Sequence, residues 1–401
     1  MGKKIKIFGL IFGPETLFEN FCQVYQKIVK CLNLYRSRCL SLYGKACIVN
    51  LMALSKLWYL ASVLLVPEKI IDMIEKEIFM FVWDGKMELL SRNTCYFPKL
   101  NGGLALVNIR IKIASLQMSQ ISKIVYCENL SWTYFGHMWL GISLRRFPDY
   151  KFTNVFPHCI EDLPIFYDNM RKNLNFLKEL DKEIIPVKNA HCKFFYVQLI
   201  DAFVKRHGLH ITEKFNHIDF SKAFVNIINK NIDPLAINVT FKMCHNVLPV
   251  AYRLHRFGIR IDKMCTFCKR DIETVEHLFY FCSFIQDIKK TLSKFFSKIG
   301  GIGFSLDAVR FSIFDKKVTK YHLNTFLIIL SEYRHAIWTM RNKIRFEKNN
   351  LTKENVLNFF RNKIQCRIQI DFQRLDCYEF HMLWDHSCIC SIDQGKIEYH
   401  F

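Results

Sequence analysis

Chain breakers are scarce, with 15 glycines and 9 prolines in 401 residues. That scarcity argues against a sandwich or barrel of short strands joined by tight turns, and favours long helices with short connections. No internal repeat or low-complexity tract appears, which excludes a solenoid and gives no reason to expect disorder. Acidic residues are also in deficit, 36 against 57 lysines and arginines, for a formal charge of +21 and a pI near 9.3. A positive field of that size points to a polyanionic partner, although a merely soluble basic protein would carry the same charge.

Uninterrupted apolar runs are lacking too. Ile48 to Val66 has the length of a membrane span, but Lys56 stands at its centre, with Asn50, Ser55 and Ser62 nearby. A mid-bilayer lysine costs roughly 3 kcal/mol, so a buried helix with one polar edge is expected, and no membrane partner. A secretory signal is imitated by Lys3, Lys4 and the segment Ile5 to Phe12, yet Lys6 and Gly9 break it and no small-residue cleavage site follows. Gly2 lacks the downstream Ser or Thr that N-myristoylation favours. The 16 cysteines lie mostly among apolar residues of a large chain, unlike a small disulfide scaffold. A reducing setting inside the cell, nucleus or cytoplasm, is the expectation.

Hydrophobic residues make up 51% of the chain, enough for two or three packed cores. The fold class expected is mainly α. Ile5 to Phe12 reads as a short strand stopped by Gly13 and Pro14, and Phe18, Phe21, Tyr25, Ile28 and Leu32 then recur at helical spacing. A helix is predicted over 48–65, ended by Pro67, and another along the stripe Ile70, Ile74, Ile78 and Val82. Asn101, Gly102 and Gly103 suggest a small β-hairpin between 95–100 and 104–109. Prolines spaced through 129–218 suggest an irregular connector with short helices. Phe220, Phe224, Ile227 and Ile228 open a further helix, and 323–346 reads as another.

Cys265, Cys268, His277 and Cys282 form C-x2-C-x8-H-x4-C, four zinc-type ligands in two close pairs. Two intervening residues let two thiolates converge from one tight knuckle, and eight more allow the second pair to complete a tetrahedron. With all four positions filled by protein, one zinc ion would be structural, stabilising the local fold by on the order of 10 kcal/mol. A chance C-x-x-C among many buried cysteines is the alternative. Arg253, Arg256, Arg260, Lys263, Lys269 and Arg270 surround the knuckle with positive charge suited to phosphate, or with an ordinary solvated face. Phe257 and Phe267 would serve either as stacking platforms or as core. His386, Cys388 and Cys390 form a second, weaker cluster without a fourth ligand.

The run Asn246-Val247-Leu248-Pro249, Arg256-Phe257-Gly258-Ile259, the Cys265/Cys268 knuckle, Glu273-Thr274 and His277-Leu278-Phe279 before Cys282 resembles the zinc-binding domain that follows many LINE-type reverse transcriptases. Ile337-Trp338-Thr339-Met340-Arg341-Asn342 is similar to a helix that commonly follows it. Upstream, Ile7-Phe8-Gly9-Leu10 resembles the strand leaving the polymerase palm, and Arg38 with Leu40-Ser41-Leu42-Tyr43-Gly44-Lys45 the opening of the thumb, though Tyr35 stands where the family usually has Trp. Ser55-Lys56-Leu57, Trp83 and Pro98 with Gly102-Gly103-Leu104 continue the likeness.

The resemblance implies four segments: the end of the palm and a thumb-like helical region over 1–128, a connector over 129–218, a reverse transcriptase zinc-binding domain over 219–300 and C-terminal helices over 301–401. It implies RNA or DNA as partner, together with the remainder of a reverse transcriptase, and Arg36, Arg38 and Lys45 as thumb contacts to the nucleic-acid backbone. The family's paired palm aspartates are missing, so the chain is expected to be a non-catalytic fragment of the polymerase, truncated or part of a longer reading frame. The rivals are an enzyme, either a metal-dependent nuclease using Asp149 and Asp162 or a polymerase completed by a separate chain, a zinc-dependent protein adaptor, and the inert remnant of a decayed element. The nuclease spacing precedes the knuckle here, whereas in relatives it follows.

Overall fold

The protein is described from a computed structural model, over residues 4–13, 16–127, 131–151, 163–180, 184–316, 318–347, 350–385, 389–393 and 396–400. The chain divides into two compact units, residues 1–98 with 103–208, and residues 99–102 with 209–401. Among the described residues the structure is mainly helical, with two small antiparallel hairpins as the only sheets.

The first unit opens on one hairpin, β1 (Ile5–Ile7) paired with β2 (Leu10–Phe12), where a single strand was expected. Phe8 and Gly9 take positive φ and turn the chain. Helix α1 (Thr16–Tyr35) buries Phe21, Val24, Ile28 and Leu32 on one face, leaving Phe18 exposed. The helix predicted over 48–65 is broken: α2 (Leu42–Ile48) runs into a π-turn at Val49–Ala53, and α3 (Ser55–Val63) leaves at a bend of 46°. Such a bulge is a usual cause of a kink. Asn50 explains the polar residue in this apolar run, since its amide donates to the Ala105 carbonyl (2.8 Å) and accepts from the Val107 N–H (2.9 Å). No single helix among the described residues is long and apolar enough to cross a membrane.

Helix α4 (Glu68–Val82) buries the predicted stripe of Ile70, Ile74, Ile78 and Val82. The hairpin expected near Gly102 is replaced by helix α5 (Arg92–Tyr96), started by the Ser91 hydroxyl accepting from the Thr94 N–H. The chain then folds back tightly, with the Leu104 and Leu106 N–H groups both donating to the Cys95 carbonyl. Gly103 permits this, because a Cβ there would lie 1.9 Å from the Phe97 carbonyl oxygen. The expected irregular connector holds α7 (Ser131–Leu144), α8 (Ile165–Leu180) and α9 (Cys192–His207), all packed on α6 (Ile109–Tyr126). Helix α6 buries Ile109, Ile111, Ile113, Ala114, Met118, Ile121 and Ile124, a set too widely spread for a single stripe, and three helices gather on it.

The second unit continues with α10 (His210–Lys214), α11 (Phe220–Ile227) and α12 (Pro234–Cys244). Asp219 caps α11, and Asp233 with Pro234 starts α12. Helix α13 (Ala251–Arg256) precedes the cysteine knuckle, and α14 (Gln286–Gly300) with α15 (Leu306–Phe311) follows it. The longest helix, α16 (Lys320–Glu347), contains the predicted 323–346 and buries Phe326 to Leu330, Tyr333, Ile337 and Met340. Helix α17 (Lys353–Arg374) lays Val356, Phe360, Ile364 and Ile368 against it; α18 (Cys377–Phe380) and the hairpin of β3 (Cys390–Asp393) and β4 (Lys396–Tyr399) end the unit. Cys265, Phe279 and Cys282 share one core with Tyr333, Ile337 and Phe360, so no break in packing falls at the expected boundary of residue 300.

Candidate metal centre

The knuckle is built by backbone. The Cys265 N–H donates to the Asp271 carbonyl (2.7 Å), the Lys269 N–H to the Cys265 carbonyl (3.0 Å) and the Glu273 N–H to the Lys263 carbonyl (2.9 Å). Lys269 turns the chain with φ +58°, a conformation that costs a non-glycine residue roughly 1 kcal/mol. The second ligand pair is closed by a π-turn over His277–Phe281, in which the Cys282 N–H reaches the His277 carbonyl at 2.8 Å. That i to i+5 closure is what a four-residue gap between histidine and cysteine achieves.

The four ligand atoms lie within 4.8 Å of one another, with Cys265 Sγ 3.8 Å from Cys282 Sγ and Cys268 Sγ 3.3 Å from His277 Nε2. A tetrahedral zinc with Zn–S near 2.3 Å requires sulfur–sulfur edges of about 3.7 Å, so the donor set fits. Hydrogen bonding to Cys282 and burial together hold the Cys265 thiol well above its ordinary range when no cation is present. Two thiolates this close are stable only around a positive ion, which deprotonates its ligands. Asp271 places a carboxylate oxygen 3.8 Å from His277 Nδ1, the atom facing away from the cluster.

Beneath the knuckle lies a carboxylate that composition and spacing did not single out. Glu273 is fully buried and accepts from the Ala251 N–H (2.8 Å), from the Thr266 N–H (2.9 Å) and hydroxyl (2.5 Å), and from Arg341 Nη2 (2.5 Å) and Nε (3.1 Å). Arg345 adds a contact at 3.4 Å. Burial alone would raise the Glu273 pKa, but the Arg341 guanidinium and the Thr266 donors overcome it and hold the group below its usual value. Thr266 lies between the two knuckle cysteines, so this network ties the ligand loop to α16. The only signal for it in the sequence was the resemblance, which contained both Glu273-Thr274 and Arg341-Asn342.

Two more buried arginines escaped sequence reasoning. Arg334 donates to the Val309 (2.7 Å) and Ala308 (2.8 Å) carbonyls at the end of α15. Arg310 pairs with Glu276, donates to the Asn246 side-chain oxygen (2.7 Å) and stacks on Phe215. Burial lowers both guanidinium pKa values to about 10.

The predicted cations divide sharply. Arg256, Arg260, Lys263, Lys269 and Arg270 are exposed, and none has an ion-pair partner among the described residues. Arg253 is half-buried, donating to the Asn246 carbonyl at 2.6 Å, with its guanidinium 5.0 Å from the exposed Phe257 ring. Arg36 is exposed and pairs with Glu77 at 3.2 Å, while Arg38 is exposed and lies over Tyr35. Lys45 corrects the expectation of a thumb contact: it is buried, its ammonium held by the Val82 carbonyl (3.2 Å) and Asp84 (2.5 Å), so it is no surface cation. Phe267 is buried and stacked on Phe284 at 4.8 Å, a core residue and not a platform. Asp149 accepts from the Tyr126 hydroxyl at 2.6 Å. Asp162, like His386 and Cys388, lies outside the described residues.

The family described as zinc-binding in reverse transcriptase matches residues 210–288, a span containing all four ligands and starting ahead of the expected residue 219. The chain is also similar to a Xenopus laevis protein named transposon TX1 uncharacterized 149 kDa protein, at 25% identity over 130 residues. That alignment covers 31% of this chain and 10% of the relative, so the match spans a small part of that protein.

Proposed function

We propose, from the premise that residues 210–288 are a reverse transcriptase zinc-binding domain in the C-terminal region of a LINE-type transposon protein, that this chain binds template RNA or target DNA without performing catalysis itself. Bound zinc supplies folding energy and a fixed loop, with Cys265, Cys268, His277 and Cys282 as its ligands. The Glu273–Arg341 pair holds that loop against α16. The observation that carries the reading is the unpaired set of Arg256, Arg260, Lys263, Lys269 and Arg270 on the flank of the knuckle. Exposed cations elsewhere, such as Lys27, Lys56 and Lys76, are unpaired among the described residues too; what favours this flank is the density of five such cations between residues 256 and 270, next to the ligand loop. Arg36 and Arg38 are further candidate contacts, on the first unit.

Contacts of this kind release counterions, so log affinity falls with log salt by roughly 0.9 per neutralised phosphate on duplex DNA and 0.7 on single strands. Titrating the zinc-loaded chain against single-stranded RNA and duplex DNA across a salt series measures the slope. A triple change of Arg256, Arg260 and Lys263 to alanine should reduce it by about two to three units. Salt-independent binding, or a slope indifferent to these changes, overturns the reading.

A further inference from the structure

Beside α13 lies a polar cavity of about 250 Å³ whose wall includes Lys214, Arg253, Arg256, Phe257 and Thr274. Its volume falls just below the range of about 300–1,000 Å³ that drug-sized ligands and cofactors occupy, and so suits a smaller group. The one carboxylate in the wall is already paired, and the Asn246 acceptors are engaged. Glu276 is paired with Arg310, the Asn246 side-chain oxygen accepts from Arg310, and the Asn246 carbonyl accepts from Arg253. The cations are not: Lys214 and Arg256 have no ion-pair partner among the described residues, and Arg253, bonded through Nη1 to the Asn246 carbonyl, has no carboxylate partner there either. Three cations, Lys214, Arg253 and Arg256, against one carboxylate already paired with Arg310 leave the wall net positive, which favours an anion.

The rim is aromatic. Of the lining residues, Phe257 is 53% exposed and Tyr252 40% exposed. Phe257 also has the Arg253 guanidinium near its ring, which leaves the rest of its surface to solvent. Cations beside an exposed aromatic surface form the usual arrangement for gripping an unstacked nucleotide, phosphate on the donors and base on the ring. Duplex bases are stacked inward and cannot reach such a ring without extrusion.

We propose that this cavity is a nucleotide subsite for single-stranded nucleic acid, taking one phosphate against Arg253 and Arg256 and stacking the adjoining base on Phe257. The assignment rests on the nucleic-acid reading above and adds to it a preference for unpaired strands.

The test compares Phe257→Ala with the wild-type full chain, both zinc-loaded, on a single-stranded oligonucleotide and on the duplex of the same sequence. A lost base–aromatic stack of about 1–3 kcal/mol corresponds to roughly 5- to 150-fold in affinity. Single-strand affinity should therefore fall at least about fivefold more than duplex affinity. Phe257→Trp, which keeps a stacking face, should restore it. Equal losses on both ligands, or no loss on either, overturn the subsite while leaving general nucleic-acid binding in place. Failure of the wild-type chain to bind either ligand overturns both.

Discussion

Replacing Glu273 by glutamine tests whether the buried carboxylate organises the metal centre. The substitution preserves shape but removes the charge facing Arg341 and Arg345, and sets an amide NH2 against one set of donors, either Ala251 and Arg341 at Oε1 or Thr266 and Arg345 at Oε2. Glu273 and Arg341 are 0% and 1% exposed in their side chains, so little water can screen the uncompensated guanidinium. Breaking a buried pair in this way costs about 3–5 kcal/mol. With a urea m-value of roughly 3 kcal/mol/M, the unfolding midpoint of the zinc-loaded protein should drop by about 1–1.7 M. Zinc affinity, measured by chelator competition, should fall with it, because the loop that carries Thr266 between the ligand cysteines is tied to α16 through this carboxylate. Glu273→Leu combined with Arg341→Met removes both charges together and should recover much of the loss. A Glu273→Gln protein within about 0.5 kcal/mol of wild type, with unchanged zinc affinity, would refute the reasoning.

Three further outcomes are expected. Purified protein should contain about one zinc per chain by elemental analysis and lose it in Cys268→Ser with His277→Ser; metal-free protein that unfolds at the same midpoint would contradict a structural ion worth on the order of 10 kcal/mol. Lys45→Ala should cost about 1.5–3 kcal/mol in unfolding free energy, through its lost bonds to Val82 and Asp84, and leave the salt dependence of nucleic-acid binding unchanged. A lower salt slope with unaltered stability would return Lys45 to the binding surface. Burial depresses the His245 pKa from 6.5 to about 4, so the unfolded chain takes up this proton before the folded one does. Stability from this group is complete above the unfolded value and is lost as pH falls toward 4, by about 3 kcal/mol in all. Urea midpoints of wild type and His245→Phe at stepped pH should diverge across that window, and parallel curves would show that the ring is not buried neutral.

Information carried by local spacing was legible in the chain alone. The C-x2-C-x8-H-x4-C set named all four residues that the structure brings within 4.8 Å, because a knuckle and a π-turn are made by neighbours in sequence. Helical character was readable for the same reason, as in the stripe Ile70, Ile74, Ile78 and Val82. Local reasoning failed where a distant partner intervened. Asn101-Gly102-Gly103 has the residues of a hairpin turn, but Gly103 is there to let the backbone pass the Phe97 carbonyl. The run from Ile48 to Leu65 looks like one helix, yet Asn50 is recruited by Ala105 and Val107 and a π-turn bends it.

Charge was the property that tertiary structure alone could sort. The sequence established an excess of cations and a zinc-ligand set, since both are sums over residues or over short spacings. It could not say that Lys45 is spent inside the fold while Arg256 remains unpaired, nor that Glu273 meets Arg341 across 68 positions. Whether a charged group faces water, an opposite charge or a ligand depends on which distant segment packs over it, and that is decided only when the core closes.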